Sequence, residues 1–359
     1  MLDLSMAIEK KNRVAVLALT DGGASLARKL VGLCRGADLY LPQRLTSDRY
    51  PAQTIFFDHW QETVKTVFNQ YNQIIFIMAT GIVVRTLAPL LQSKRTDPAV
   101  VVLDERGQHA ISLLAGHLGG ANDLARRIAA LIGGTAVITT ATDVAGVPSL
   151  DLLAKELACE VYPFRGIKLF NRLLVEGKPL QIVSPWQLKP EVMQGLTVSQ
   201  TDQGSSQGPV VYITNQLVQH RGEPRLMLRP RNLVAGVGCR KGVSGKQIIA
   251  AIKETFRCSG YSLLSLKYLA TVDLKMQEPG LLQAARYFRV PLMEVTKEQI
   301  QHLTVQYNQS DFVKEQIGVG GVCEPAAITA SGRGQIKVPK QKIGPVTVAI
   351  AEAKLWWWD

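Results

Sequence analysis

The stretch VAVLALTDGGASLARKL, residues 14–30, decides the fold. A short apolar run from Val14 to Leu19 ends in the turn Asp21-Gly22-Gly23, then passes into a segment with Leu26, Leu30 and Leu33 on one face. That is the pattern of a strand followed by a helix. The same pattern returns in IIFIMATGIVVRTL, residues 74–87. Here Ile74 to Met78 is the strand and Ala79-Thr80-Gly81 the turn, with a helix predicted over Ile82 to Leu91 that must tolerate or end near Pro89.

Val100–Leu103 and Ala110–Leu114 flank Glu105-Arg106-Gly107 and predict a hairpin; Asn122–Ile132 reads as helix and Ala136–Thr140 as strand. Strands alternating with helices of this length imply an α/β fold with largely parallel sheets flanked by helices. A second region, from near Asp143, offers a helix at Ser149–Cys159 and a basic helix at Ile167–Glu176. Strands follow at Leu180–Val183 and Val210–Thr214, either side of the polar loop Gly204–Pro209, and a last strand with basic ends runs from Arg225 to Arg231. A new strand and turn open at Leu233, leading to helices at Lys246–Phe256 and Pro279–Tyr287 and strands near Leu269, at Val290–Pro291 and at Val346–Ile350. The predicted organisation is an N-terminal α/β domain over 10–145, a small α/β middle domain over 146–232 and a C-terminal α/β domain over 233–359.

Composition narrows the class. The 359 residues are 47% hydrophobic and 19% charged, with glycine and proline in no short period, which excludes disorder, collagen and coiled coil. Five cysteines, no two close enough for a C-x-x-C pair, argue against a disulfide framework and for a reducing compartment. No apolar run reaches the 18 or more residues of a membrane span, and the opening MLDLSMAIEKKNR has no signal-peptide core, so a cytoplasmic protein without a membrane partner is expected. The net charge of +12 calls for an anionic partner. It divides as 15 basic against 12 acidic residues before Gly146, 10 against 7 from there to Asn232, and 16 against 10 beyond. With 6% aromatics and no dense Lys/Arg run, a nucleic-acid partner is poorly supported, and a polycarboxylate or phosphorylated small ligand fits better.

Three glycine-rich turns are placed to meet helix N-termini, where backbone N–H groups and the helix dipole favour anions. They are Thr20–Gly23, Gly236-Val-Gly238-Cys-Arg240-Lys241-Gly242, and Gly318-Val-Gly320-Gly321-Val-Cys323-Glu324-Pro325, the last with proline at a plausible first helical position. The second departs from a dinucleotide fingerprint because its third glycine comes one residue late. Each glycine is equally accounted for by turn geometry alone. The densest polar segment is Asp104-Glu105-Arg106-Gly107-Gln108-His109, followed by Gly116-His117-Leu118-Gly119-Gly120-Ala121-Asn122-Asp123. His117, between glycines and before a helix, suits a general base or a cap; His109, in a strand, reads as structural. No third ligand at recognisable spacing joins these histidines, so no metal site is expected. Asn122 and Asp143 could bind substrate or cap helices. Cys239 and Cys323 are packing residues before they are nucleophiles, and Trp356-Trp357-Trp358 suits a core edge or an oligomer contact.

These same residues carry a resemblance. ATGIVVR (79–85), continuing through Asp97–Asp104, Glu105–His109 and GHLGGAN (116–122) to Thr140–Asp143, resembles the N-terminal domain of the CbiG family. Independently, GVGCRKG (236–242) with GGVCEPAA (320–327) resembles that family's C-terminal, CobE-like domain, and the region between matches the variable middle domain by position.

The resemblance implies a cobalt-precorrin-5A hydrolase of anaerobic cobalamin synthesis, which opens a δ-lactone with water and expels the bridging carbon and its methyl as acetaldehyde. It implies a cobalt-tetrapyrrole substrate that carries its own cobalt, with no cofactor bound by the chain. Other corrin-pathway enzymes and a second copy of the chain are candidate partners. Lactone opening needs a positioned water, a base and oxyanion donors. His117 is then the expected base, with Glu105 or Asp143 as auxiliary acid or orienter. Gly81, Arg85, Asn122, Gly236, Gly238, Arg240, Lys241, Gly320, Gly321 and Glu324 are the expected substrate contacts, Arg85 as a bidentate clamp. The rivals are a non-catalytic corrinoid carrier, which would release no acetaldehyde, and a nucleotide or nucleic-acid binder, which would show a steep salt dependence.

Overall fold

A computed structural model describes residues 13–34, 36–93, 96–117, 119–189, 198–199, 208–218, 224–303 and 320–358. The contacts divide the chain into two compact units that meet in sequence at Leu152 and Leu153.

The first unit is built on a seven-stranded sheet of order β3-β2-β1-β4-β5-β6-β7. Its chain order is β1 (Val14–Ala18), α1 (Asp21–Leu33), β2 (Ala37–Pro42), β3 (Ile55–Phe57), α2 (Trp60–Gln70), β4 (Gln73–Ile77), α3 (Thr80–Leu87), β5 (Ala99–Leu103), β6 (His109–Leu114), α4 (Ala121–Ile132), β7 (Thr135–Val137), the short α5 (Ala141–Val144) and α6 (Leu150–Glu156). The helix predicted to Leu91 stops at Leu87, and Pro89 sits in a 3₁₀ turn, as the missing N–H of proline requires.

Side-chain alternation along the strands makes two cores. Val16, Leu39, Ile75 and Val101 point to one face, beneath Ala24, Ala27 and Leu30 of α1 and Leu124, Ala125 and Ile128 of α4. Leu17, Ile74, Phe76 and Val100 point to the other, beneath Val64, Val67 and Phe68 of α2 and Val83 and Leu87 of α3. Strands covered on both faces are apolar wherever they are buried, which is why VAVLA and, after Gln73, IIFI show no polar alternation. Burying a side chain such as Leu30, fully inaccessible, contributes roughly 1.5–3 kcal/mol.

Strand direction places the functional residues. From β3 through β5 all neighbours are parallel. The hairpin at Asp104–Gln108 then turns the chain back, so β6 is antiparallel to β5, with Val100 opposite Leu114 and Leu103 opposite Ala110. β7 runs parallel to β6. The C-terminal ends of β1, β4 and β5 therefore share one edge of the sheet, and those of β6 and β7 share the other.

The second unit carries two five-stranded sheets. One has the order β10-β9-β11-β12-β8, formed by β8 (Cys159–Tyr162), β9 (Gln181–Val183), β10 (Val198–Ser199), β11 (Val210–Ile213) and β12 (Arg225–Pro230), with α7 (Ile167–Val175) between β8 and β9. The helix predicted to Cys159 ends at Glu156 and Cys159 begins a strand. The basic ends expected of β12 are present, with Arg225 as its first residue and exposed Arg231 just past its last. Arg229 is buried and donates to the carbonyls of Thr214 and Gln216, and burial pushes its pKa down to about 10.

The other sheet has the order β15-β14-β13-β17-β16. It is assembled from β13 (Leu233–Cys239), α8 (Gly245–Cys258), β14 (Leu266–Val272), α9 (Pro279–Phe288), β15 (Leu292–Val295), α10 (Lys297–Gln301), α11 (Cys323–Ala330), β16 (Gln335–Ile343) and β17 (Val346–Glu352). The strand expected at Val290–Pro291 begins just beyond it, at Leu292. The two sheets are tied by a buried network in which Asn215 Nδ2 donates to Glu352 Oε1 at 2.6 Å and to Asn232 Oδ1 at 3.2 Å. Trp357, fully buried, donates its indole N–H to the Leu157 carbonyl at 3.0 Å, and Trp358 stacks on Trp186 at 4.5 Å. The tryptophan run thus closes a core edge, with Trp356 alone exposed.

Candidate functional site

The chain leaves β1 towards β2 on one side and later places β4 on the other, so the strand order switches between β1 and β4. In doubly wound sheets, ligands bind outside the carboxyl ends of strands at such a point. Thr20 ends the loop after β1 and caps α1, its hydroxyl accepting from Gly23 N at 3.1 Å. The same hydroxyl donates to Glu105 Oε1 at 2.5 Å, across 85 residues of sequence. Glu105 is exposed in the hairpin between β5 and β6. That hairpin is held by Asp104, whose carboxylate accepts from the backbone N–H groups of Arg106, Gln108 and His109. Burial works against the Asp104 charge, but these three bonds outweigh it and lower its pKa.

Gly81 and Arg85 stand one turn apart on an exposed face of α3, at this same edge. A Cβ at Gly81 would meet nothing within 4 Å, so backbone is accessible there, and Ala79, the N-cap of α3, offers no side-chain cap. Arg44, exposed just beyond β2, donates to the Leu19 carbonyl and adds a cation to this rim.

His117 lies at the opposite edge. It follows β6, whereas Glu105 precedes it, and β5 with its five residues separates the two edges by about 15 Å. Glu105 therefore does not assist His117. Asp143 does meet it, with Oδ2 2.7 Å from His117 Nε2, and Asp151 Oδ1 approaches Nδ1 at 3.4 Å. The His117 pKa is raised. The Asp151 carboxylate, less exposed than Asp143, is the largest cause; burial opposes it and Asp143 reinforces it. Burial also resists the Asp143 charge, but hydrogen bonds from Thr140, His117 and Arg126 prevail and hold its pKa at about 2.

Each ring nitrogen of His117 faces a carboxylate of its own chain, Asp143 at Nε2 and Asp151 at Nδ1, so neither is turned outward to take a proton from water. The general-base expectation is corrected on that ground. Asn122 changes role too. It is buried, donates to Thr140 and Asp143, and accepts from Ser112, so its amide is spent inside the cluster. The glycines around His117 are packing requirements: a Cβ on Gly116 would lie 2.8 Å from Asn122 Oδ1, and one on Gly119 2.4 Å from Ala115 Cβ.

The second glycine turn also needs correction. Gly236 and Gly238 lie inside β13 instead of in a turn. A Cβ on Gly236 would sit 1.8 Å from the Cys323 carbonyl, so the absent side chain is what lets α11 rest on the strand. Arg240 and Lys241 are exposed in the turn that follows. The turn already holds an anion of its own chain, since Gly242 N donates to Glu278 Oε2 at 3.2 Å and Lys275 reaches Oε1 at 3.1 Å.

In the third turn, Gly318 lies outside the described residues, and Gly320, Gly321 and Glu324 are buried. Glu324 accepts from Lys340 N at 2.8 Å, and Pro325 is the third helical residue where the first was expected. Burial raises the thiol pKa values of Cys239 and Cys323, which leaves neither a ready nucleophile. Sequence reasoning singled out neither Asp151 nor the Thr20 hydroxyl as partners. Nothing in their spacing marks them, because each pair forms only through the sheet.

Comparison with known proteins matches three family models in order along the chain. These are Cobalamin synthesis G N-terminal over residues 62–143, Cobalamin biosynthesis central region over 148–230 and Cobalamin synthesis G C-terminus over 233–351. The chain is 35% identical over 353 residues to a cobalt-precorrin-5A hydrolase of Salmonella typhimurium, covering 96% of this chain and 99% of that one. It is 31% identical over 359 residues to a cobalt-precorrin-5A hydrolase of Priestia megaterium, covering 96% of each. A solved structure of a cobalamin biosynthesis protein G homologue from Sulfolobus solfataricus is 20% identical, with a TM-score of 0.38 over 97% of this chain and 99% of that one.

Proposed function

The chain belongs to the CbiG family, and from that membership we propose that it is the enzyme that hydrolyses cobalt-precorrin-5A in anaerobic cobalamin synthesis. The observation that carries the reading is likeness over almost the whole length of relatives bearing that activity in their names. Cobalt enters as part of the substrate, and the chain adds no cofactor of its own. The five free cysteines suit a reducing cytoplasm, and no helix among the described residues is long and apolar enough to cross a membrane.

The site we propose is the switch-point edge of the first sheet. Glu105, exposed and ordered by its hairpin, is the group available there to take a proton from water. The resulting hydroxide adds to the lactone carbonyl carbon; the ring C–O bond then breaks and its oxygen takes up a proton, leaving a carboxylic acid and a free hydroxyl. Uncapped N–H groups at the start of α3 suit the transient oxyanion. In the second step a base removes that hydroxyl's proton, the carbon–carbon bond breaks, acetaldehyde departs with the new C=O, and the electron pair passes into the macrocycle.

Arg85 and Arg44 are placed to meet peripheral carboxylates at this edge. Exposed Arg240 and Lys241 add to the field that draws in a polyanion. Purified protein incubated with cobalt-precorrin-5A is expected to release one acetaldehyde per macrocycle, with the matching loss of mass from the tetrapyrrole. Absence of acetaldehyde overturns the reading.

A further inference from the structure

We infer that Thr20 is a positioning residue for the reaction, holding the Glu105 carboxylate in the orientation from which it takes the proton of the attacking water. The inference rests on the hydrolase reading and on the switch-point site, and concerns a residue that neither required.

A threonine hydroxyl has one proton to give and lone pairs to receive. Gly23 N occupies the acceptor side at 3.1 Å, which leaves the proton directed at Glu105 Oε1, 2.5 Å away. The hydroxyl is itself fixed, because Thr20 is the N-cap of the 13-residue α1 and its carbonyl accepts from Ala24 N at 2.8 Å. One carboxylate oxygen of an otherwise exposed side chain is thus pinned to a rigid helix start.

The two glycines that follow keep this arrangement possible. A Cβ on Gly22 would lie 3.0 Å from Glu105 Oε2, and one on Gly23 would lie 3.1 Å from the Ile77 carbonyl and 3.2 Å from Thr20 Oγ1. Oε2 makes no hydrogen bond among the described residues, so it is the oxygen left to act. A general base gains from being fixed within hydrogen-bond reach of the proton it removes, and a freely rotating glutamate would lose that geometry. Thr20 touches neither water nor substrate in this account; it acts through Glu105.

Helix capping alone would also explain a threonine here, so the test separates the two roles. Thr20→Ser keeps cap and donor; Thr20→Gly removes the donor while glycine remains a tolerated N-cap; Thr20→Val removes both. Acetaldehyde release from cobalt-precorrin-5A is measured for each in wild-type and Glu105→Gln backgrounds, with thermal melting alongside.

The expected result is Thr20→Ser within about twofold of wild type, and Thr20→Gly and Thr20→Val each about tenfold down in kcat with KM within about twofold. In the Glu105→Gln background the same substitutions are expected to cost nothing further, because the group they position is gone. Folded Thr20→Gly protein with undiminished kcat overturns the positioning role. So does an equal further loss in the Glu105→Gln background, which would mark a merely structural contribution. Full activity of Glu105→Gln itself overturns the base assignment, and a wild-type protein that releases no acetaldehyde overturns the functional reading; each of these removes the positioning role with it.

Discussion

The Asp143 carboxylate receives both the His117 ring at 2.7 Å and the Arg126 guanidinium, joining the loop after β6 to α4 and to the short helix after β7. A carboxylate shared by the Arg126 guanidinium, the His117 ring, the Thr140 hydroxyl and the Asn122 amide is a structural knot. Asp143→Ala is expected to lower unfolding free energy by about 2–4 kcal/mol, since it strands a cation and several donors. Denaturant titration checks it. His117→Gln, by contrast, is expected to retain acetaldehyde release within about threefold, where loss of a general base would cost about a hundredfold or more.

The pH dependence of stability follows from the same pair. The folded-state pKa of His117 is raised above its ordinary 6.5, so its contribution is fully present below that value and is lost as pH rises through the higher folded value. Asp143 is lowered from 3.8 to about 2, so its contribution is present above 3.8 and disappears as pH falls towards 2. Thermal stability is expected to be greatest between the two limbs. Replacing His117 by Gln should remove the alkaline limb and weaken the acid limb, because His117 is one of the groups that hold the Asp143 pKa down, read as melting temperature against pH.

Glu105→Gln is nearly isosteric and keeps an oxygen for the Thr20 hydroxyl. It is expected to reduce kcat for acetaldehyde release by about a hundredfold or more, with KM changed little. Steady-state kinetics with a coupled acetaldehyde assay decides it.

Gly236→Ala tests packing in the second unit. Its methyl would strike the Cys323 backbone carbonyl, which cannot rotate aside, so α11 must lift from β13. A loss of about 3 kcal/mol or more is expected, seen as a lower denaturant midpoint or insoluble protein.

For the exposed turn cations, the double substitution of Arg240→Ala and Lys241→Ala is expected to raise KM by about threefold to tenfold at low salt while kcat holds. The difference should shrink at high ionic strength, as a long-range electrostatic effect must.

Local signals made much of the fold legible. Apolar runs followed by glycine turns marked β1, β4 and β13 with the helices after them, and Glu105-Arg106-Gly107 marked the β5–β6 hairpin. Less was visible where tertiary context decides. No strand was anticipated in residues 37–57, and β16 was missed because QIKVPKQKI is an edge strand with mostly exposed polar side chains and a proline. Site residues were read by composition, which cannot tell which edge of a sheet a residue occupies. Glu105 and His117 are twelve positions apart, yet β6 runs along the sheet between them and sets them at opposite edges. Gly236 looked like a phosphate-type turn because close helix packing and close ligand approach make the same demand on a backbone.

Trp357 completes the structure around Leu157 from 200 positions downstream. During synthesis the middle sheet must wait, its Trp186 and Leu157 contacts unfilled, until almost the entire second unit has left the ribosome. Maturation of that region is thus coupled to synthesis of the segment that carries Trp357 and Trp358, and a chain arrested before it would present an unfinished apolar seam to chaperones and proteases.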